Sequence, residues 1–428
     1  MNADELSAVR RDFHRIPEPA WREFYTTVRL VEALESLDVD LDELHVGPDA
    51  IAGEHRLAVP DDAELEAWYE QARAAGADEE ILEKLEGGYT GAVAVLRQGD
   101  ADAGPTVGLR VDIDALPRTE SDDPEHVPAA EGFRSEHEGA MHACGHDAHM
   151  TIGLGVLEAV ADSDFEGTLK GFFQPAEEII GGGKAMAESD HLADVDSLLA
   201  VHIGLDHPTG EVVAGIEGFL AVSHLEATFT GEPSHAGGHP EKGRNAIQAM
   251  ATAVQNMYGI PRHSGGATRI NVGVVEAGTA ANIVAEEAKI VAEVRGETTE
   301  LMEYMDEKAR TVLETAAEMH DCEVEIELGA QAPSAVSDDE LAAVVADVAS
   351  GVDGIDTVLE RDDLGGSEDA TFLMREVQQN GGQACYVGIG TDHPGGHHTA
   401  TFDVDEESLS HGVDVLAGAI ERLGLEEE

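Results

Sequence analysis

The sequence predicts an α/β protein: one domain built on a central mixed sheet flanked by helices, with a ferredoxin-like α+β domain inserted into it. Three observations carry this expectation. The chain has 428 residues, more than one ordinary core supports. Short apolar runs suited to buried strands alternate with runs at helical spacing, which is the signature of layered α/β structure. From Phe219 the order becomes strand, helix, strand, strand, helix, strand, the split pattern of a ferredoxin-like unit. The expected domains are residues 1–218 with 330–428, and 219–329.

Taken in order, Glu5 to Leu37 places apolar residues at helical spacing, interrupted by Pro17 and Pro19, and residues 61–86 suggest another helical pair. Strand-like runs follow at Thr90 to Leu96 and Thr106 to Leu109, the second leading into Arg110-Val-Asp-Ile-Asp-Ala-Leu-Pro117. Further buried strands are expected at Leu169 to Phe173 and Ser197 to His202, with a helix over the apolar run Met150 to Val160 between them. In the inserted domain, strands are expected at Val222 to Thr230, Arg269 to Glu276, Ala288 to Arg295 and Cys322 to Leu328. Helices are expected at Gly243 to Tyr258 and Leu301 to Met319. A last helix should follow Asp405. Polar groups at the carboxyl ends of the buried strands should line the ligand cleft.

Composition bounds the function. The chain carries 88 acidic against 25 basic residues, a formal charge of -63, and only six of the basic residues are lysine. The carboxylates run from Asp4 to Glu428, and a 42% hydrophobic content is normal for a folded core, which argues against disorder. Self-repulsion of this size is screened within about 3 Å at 1 M salt, so adaptation to a halophile's high-salt cytoplasm is expected. Such a surface argues against nucleic-acid binding. No run reaches the roughly 18 apolar residues of a membrane span, and three cysteines give no disulfide framework. A soluble cytoplasmic protein is expected.

Met141-His-Ala-Cys-Gly-His-Asp-Ala-His149 gathers a thiol and three imidazoles in nine residues, the soft and borderline ligands that suit a transition-metal ion. Asp147 is expected to cap the following helix, leaving Cys144 and His146 just ahead of its first turn. Cys322 and Cys385 stand alone without a CxxC partner, so further ligands must come from elsewhere, as in catalytic sites. Candidates are the adjacent carboxylates of Gln174-Pro-Ala-Glu-Glu178, Asp112 and Asp114, His202 at a strand end, and His397-His398 in a glycine-rich loop.

These stretches resemble the amidohydrolase branch of the dinuclear metallopeptidases, which includes glutamate carboxypeptidases, aminoacylases, hippurate hydrolases and plant auxin-amino-acid hydrolases. Asp12 to Glu18, Arg110 to Pro117, Met141 to His149, Gln174 to Glu178, Ala200 to Ile203, His235 to Gly237 and His398 to Phe402 carry the resemblance. An insertion over residues 48–90, the segment His263 to Gly273 and Ser367 to Thr371 narrow it to the A subunits of p-aminobenzoyl-glutamate hydrolases. The resemblance implies two divalent metal ions, Mn or Zn, held by Cys144, His146, Glu178, His202 and His398. It implies Glu177 as general base and Asp114 as the group orienting a metal ligand, while His142 and His149 are expected to support the ligands rather than join them. His398 is favoured over His397 by its spacing to Phe402. His235, Asn282 and Arg295 match positions that bind the substrate carboxylate and reacting carbonyl, with His235 reaching across a dimer interface.

The implied activity is hydrolysis of the amide bond of N-acyl amino acids, p-aminobenzoyl-glutamate or a related acyl amino acid, by a homodimer or a heterodimer with a homologous subunit. Arg295 offers a planar fork suited to a carboxylate. Two alternatives stay open on the residues alone: a catalytically silent metal-binding subunit, and a thiol amidase using Cys144 with His142 or His146.

Overall fold

The computed structural model describes residues 1–101, 103–393 and 395–425, and these divide into two compact units. The larger runs over Met1–Glu217, Ala335–Leu364 and from Asp369 onwards; the smaller over Gly218–Ser334 and Gly365–Glu368.

The chain opens with α1 (Ala3–Arg15), whose start is fixed by a capping box between Asn2 and Glu5, followed by α2 (Phe24–Ser36). Strands β1 (Glu43–Val46), β2 (Ala92–Gln98) and β3 (Thr106–Asp112) lead to helix α3 (His146–Ala161), then to β4 (Gly167–Gln174), β5 (Ser197–Ile203) and β6 (Glu211–Val213). The smaller unit follows as β7 (Ala221–Thr230), α4 (Ala246–Tyr258), β8 (Thr268–Ala277), β9 (Glu287–Gly296), α5 (Thr299–Met319) and β10 (Glu323–Ala332). The chain closes with β11 (Thr357–Leu359), α6 (Ala370–Gln379), β12 (Gln383–Ile389) and α7 (Glu407–Gly424).

In the larger unit the described residues form an eight-stranded mixed sheet in the order β1-β2-β4-β3-β5-β12-β6-β11. The central strands β4, β3, β5 and β12 run parallel; β2 is antiparallel to β1 and β4, and β6 is antiparallel to β12 but parallel to β11. Residues of β4 and β5 are buried on both faces, which is why they read as continuous apolar runs rather than alternating ones. Register places Asp112 beside Gln174, so the carboxyl ends of β3 and β4 deliver their polar residues to one rim, the place where open α/β sheets bind ligands.

The smaller unit is a four-stranded antiparallel sheet in the order β8-β9-β7-β10. With its two helices this is the ferredoxin-like arrangement. One face of the sheet supplies Leu225, Phe229, Ile290 and Val294 to a core shared with Met257 of α4 and Leu313 of α5; β7 accordingly alternates buried and half-buried residues. No helix among the described residues is long and apolar enough to cross a membrane.

Candidate metal centre

Helix α3 begins at His146, four residues before the apolar run that announced it, and its cap is Gly145 rather than Asp147. Gly145 has φ +88°, a left-handed conformation that a side chain resists, and a Cβ there would lie 2.6 Å from Ile203. The glycine therefore lets Cys144 and His146 approach the end of β5, where His202 sits. Asp147 makes no capping bond; it turns into the protein to meet Arg10 and His14 at 2.8 Å each.

Around Cys144 the candidate ligands converge. Its Sγ lies 3.4 Å from His202 Nε2 and 3.5 Å from His397 Nδ1. Cys144, His146 and Glu178 also present ligand atoms within 4.8 Å of one another, as do Cys144, His202 and His397, and Asp112, His146 and His149. His398 Nε2 stands 3.6 Å from the other oxygen of Glu178, on a half-exposed ring.

Hydrogen bonds sort these imidazoles. His202 Nδ1 donates to the Ile203 carbonyl at 2.8 Å, leaving Nε2 as a lone pair beside the sulfur. His149 is different: its Nε2 accepts the Ile203 N–H at 2.8 Å and its Nδ1 faces Asp112, so both nitrogens are engaged. His397 Nε2 accepts the Leu205 N–H at 3.0 Å, which puts its proton on Nδ1 and makes it a donor to Cys144. His146 Nδ1 lies 3.2 Å from Asp114 Oδ1, while the other oxygen of Asp114 accepts the Glu178 N–H at 3.0 Å. Asp114 thus orients two candidate ligands at once. His142 is buried without a hydrogen-bond partner for either ring nitrogen among the described residues, and burial pushes it down to about 3.

The donor set fits a metal. His146 Nε2 is buried with no hydrogen-bond partner among the described residues, yet it lies 3.6 Å from Asp112 and 3.9 Å from Glu178. Burial opposes a charge on His146, but Asp112, Asp114 and Glu178 outweigh it and raise the ring to about 10. A site that draws in a proton so strongly draws in a divalent cation by the same field. His202 is pushed the other way, well below the usual imidazole range, by burial and then by His149 and His397, which keeps it a neutral ligand.

Glu177 and Glu178 ride on a turn after β4, and Glu177 is buried. Ala176, just before them, holds φ +56°, a strained conformation for a residue with a side chain. Two buried carboxylates clamp it. Glu23 accepts the Ala176 N–H and the Thr90 hydroxyl, both at 2.8 Å; Asp369 accepts from the Gln174 amide at 2.7 Å and from the Gly182 and Gly183 N–H groups at 3.2 and 2.7 Å.

In the smaller unit the backbone brings His235 and Asn282 together: the Ala236 N–H donates to the Asn282 carbonyl at 3.0 Å, and His235 pairs with Ile283 across two short strands. The Gly237 and Gly238 N–H groups donate to His235 Nδ1 at 3.2 and 3.0 Å, so its exposed Nε2 carries the proton. Arg295 already has an anionic partner within its own strand. Its Nε and Nη2 meet the two oxygens of Glu293 at 2.9 and 3.1 Å.

Comparison with known proteins identifies the setting. Residues 108–422 match the model of peptidase family M20/M25/M40. The chain belongs to this family. It is 42% identical over 417 residues to indole-3-acetyl-aspartic acid hydrolase of Enterobacter agglomerans, covering 96% of this chain and 94% of the relative. It is 40% identical over 418 residues to the A subunit of p-aminobenzoyl-glutamate hydrolase of Escherichia coli, covering 97% and 95%. An aminobenzoyl-glutamate utilization protein from Klebsiella pneumoniae superposes with a TM-score of 0.82 at 35% identity, covering 97% and 96%. A dinuclear metal-binding M20 peptidase from Bacillus subtilis shares the fold, with a TM-score of 0.68 at 22% identity and 98% coverage of both chains. This M20 peptidase is accordingly a hydrolase acting on amide bonds.

The sequence did not single out Glu23, Asp369, Arg10, His14 or Glu120. The last three form a buried network in which His14 bridges Asp147 at 2.8 Å and Glu120 at 3.0 Å, while Arg10 also reaches Asp403 at 2.5 Å. A signal existed for two of them: the buried stripe of α1 is Leu6, Arg10, Phe13 and His14, a helical period that places a guanidinium and an imidazole on the core face.

Proposed function

We propose that this M20 peptidase hydrolyses the amide bond of N-acyl amino acids, p-aminobenzoyl-glutamate or a related acyl or aroyl amino acid, at a centre of two divalent ions, zinc or manganese. The observation that carries the reading is the pair Glu177-Glu178 on a turn clamped by Glu23 and Asp369, with Glu178 facing Cys144 and His146. The names of the relatives at 40% identity and above support the substrate class.

Cys144, His146, Glu178, His202 and His398 would hold the ions, with Asp114 and His149 fixing ring orientation and His397 donating to the thiolate. When bound, the ions supply Lewis acidity, lowering the pKa of water from about 15.7 towards roughly 7 and polarising the substrate carbonyl. Glu177 takes the proton of the attacking water and returns it to the leaving amine. Reaching across a dimer interface, as the family resemblance implies, His235 would offer an Nε2–H to the developing oxyanion, while Asn282 and Arg295 match positions that bind the substrate carboxylate and reacting carbonyl. Thiolate and imidazole favour zinc, while the carboxylates make manganese workable.

The assembly we infer is a homodimer, or a heterodimer with a homologous subunit. Edge strand β8 exposes Val274 and Val275, and apolar edges of this kind are normally covered. The acidic surface supports a high-salt cytoplasm as its setting.

Glu177→Gln tests the reading. Metal content should be unchanged and turnover of p-aminobenzoyl-glutamate reduced by about 10²–10⁴-fold; near wild-type turnover refutes the base assignment. The thiol-amidase alternative, Cys144 with His142 or His146, is separated by a second pair of measurements. Chelation that abolishes activity, restored by Mn²⁺ or Zn²⁺, decides for the metal route, and alkylation-sensitive activity in metal-free protein decides against it. Activity of the chain expressed alone excludes a silent subunit.

A further inference from the structure

We infer that Arg269 and Arg295 form a two-guanidinium subsite that selects amino acids with a second carboxylate, aspartate or glutamate, on the amine side of the scissile bond. The inference deepens the N-acyl amino acid reading and rests on it. In the antiparallel pair β8–β9, Arg269 is the register partner of Arg295. Directly opposed residues present their side chains to the same face, with Cβ atoms about 5 Å apart. Burial agrees: Thr268 and Ile270 on one side of β8, and Val294 and Gly296 on β9, are buried, whereas Arg269 is exposed and Arg295 half-buried. Like charges directly opposed weaken a strand pair, so their placement calls for an anion.

The chain supplies only half of that anion. Glu293, two residues along the same face, uses both oxygens on Nε and Nη2 of Arg295 and also lies 3.3 Å from His224. This fixes the Arg295 plane. Arg269 donates to the Thr268 carbonyl at 3.0 Å and makes no ion pair with a carboxylate among the described residues. Facing another guanidinium rather than a carboxylate, Arg269 is placed to meet an anionic ligand. Glu293 engages Nε and Nη2 of Arg295 and leaves its Nη1, while Arg269 spends only Nη1 on Thr268, so a dicarboxylic amino acid can set one carboxylate on each guanidinium. The third strand contributes only Val222 opposite Arg295, which adds no competing charge.

The test compares p-aminobenzoyl-glutamate with p-aminobenzoyl-glutamine, using the metal-loaded full chain in molar KCl. Wild type should prefer the glutamate conjugate by about tenfold or more in kcat/KM. Arg269→Ala should cut kcat/KM for the glutamate conjugate by about 10–100-fold, mainly through KM, and move the glutamine conjugate by less than about threefold. Arg269→Lys should recover part of the loss. Equal losses on both conjugates, or no change on the glutamate conjugate, overturn the assignment. Calorimetric titration with glutamate and glutamine supplies a readout independent of turnover. If wild type hydrolyses neither conjugate, the N-acyl amino acid reading fails; tighter glutamate binding that Arg269→Ala abolishes would still uphold the subsite, and equal binding of the two would overturn it.

Discussion

Replacing His14 with glutamine should remove a defined part of the pH dependence of stability. His14 is fully buried, and both ring nitrogens face carboxylate oxygens: Asp147 at 2.8 Å and Glu120 at 3.0 Å. Two acceptors require two N–H donors, so the ring is an imidazolium. Burial opposes the charge, but the two carboxylates outweigh it and lift His14 from 6.5 to about 9. In the unfolded chain the ring returns to its ordinary value. The native state therefore holds the extra proton between about pH 6.5 and 9, so its contribution is complete below 6.5 and is lost as pH rises through 9. At 1.36 kcal/mol per unit, the shift is worth about 3 kcal/mol. Glu18 and Glu23, raised to about 8 chiefly by burial, and Asp369, raised to about 7, also bind protons more tightly when folded and push in the same direction. The diagnostic quantity is accordingly a double difference. Urea titrations in molar KCl at pH 6 and pH 9.5 should show wild type losing about 3 kcal/mol more than His14→Gln between the two. An identical loss in both proteins would show that the ring is not held charged.

Three further outcomes can be measured. Gly145→Ala should cost about 1–2 kcal/mol for the left-handed backbone alone, and contact with Ile203 should weaken metal binding beyond that, as read by metal titration. Glu23→Ala leaves the Ala176 N–H buried and unpaired, about 1–3 kcal/mol; metal content should hold while kcat falls, and an unchanged kcat would remove Glu23 from the positioning of Glu177. Dialysis from molar KCl into dilute buffer should unfold the protein as followed by circular dichroism, because 88 carboxylates lose their screening.

How much of this was legible beforehand depended on the range of the interaction. Local periodicity located the strands and the split α+β order, because side-chain spacing encodes which face is buried. The Cys-His cluster was legible because its members are neighbours in the chain. The start of α3 was misplaced, since Asp147 has the chemistry of a cap whereas the cap used is a glycine whose role depends on φ. The pairing of Arg295 with Glu293 was not legible, because Glu293 is one carboxylate in an acidic background and only strand pleating puts both on one face. Glu23 and Asp369 reach the Glu177 turn across 153 and 186 or more positions, and nothing in composition says which buried carboxylates meet.

The main segment of the smaller unit leaves the larger after Glu217 and returns at Ala335, with only Gly365–Glu368 added later, and these two crossings are neighbours. Ser337 donates to the Ile216 carbonyl at 2.8 Å, and Asp362–Asp363 pairs in parallel with Ile216–Glu217. An insertion whose ends already lie side by side closes its loop whatever its length, at an entropic cost that grows only slowly. The eight-stranded sheet of the larger unit draws no strand from the inserted segment. The inserted segment can therefore vary in length while the proposed metal ligands Cys144, His146, Glu178, His202 and His398, all outside it, keep their scaffold. Arg269 and Arg295, the proposed selectivity pair, can thus change without altering the strands that carry those ligands.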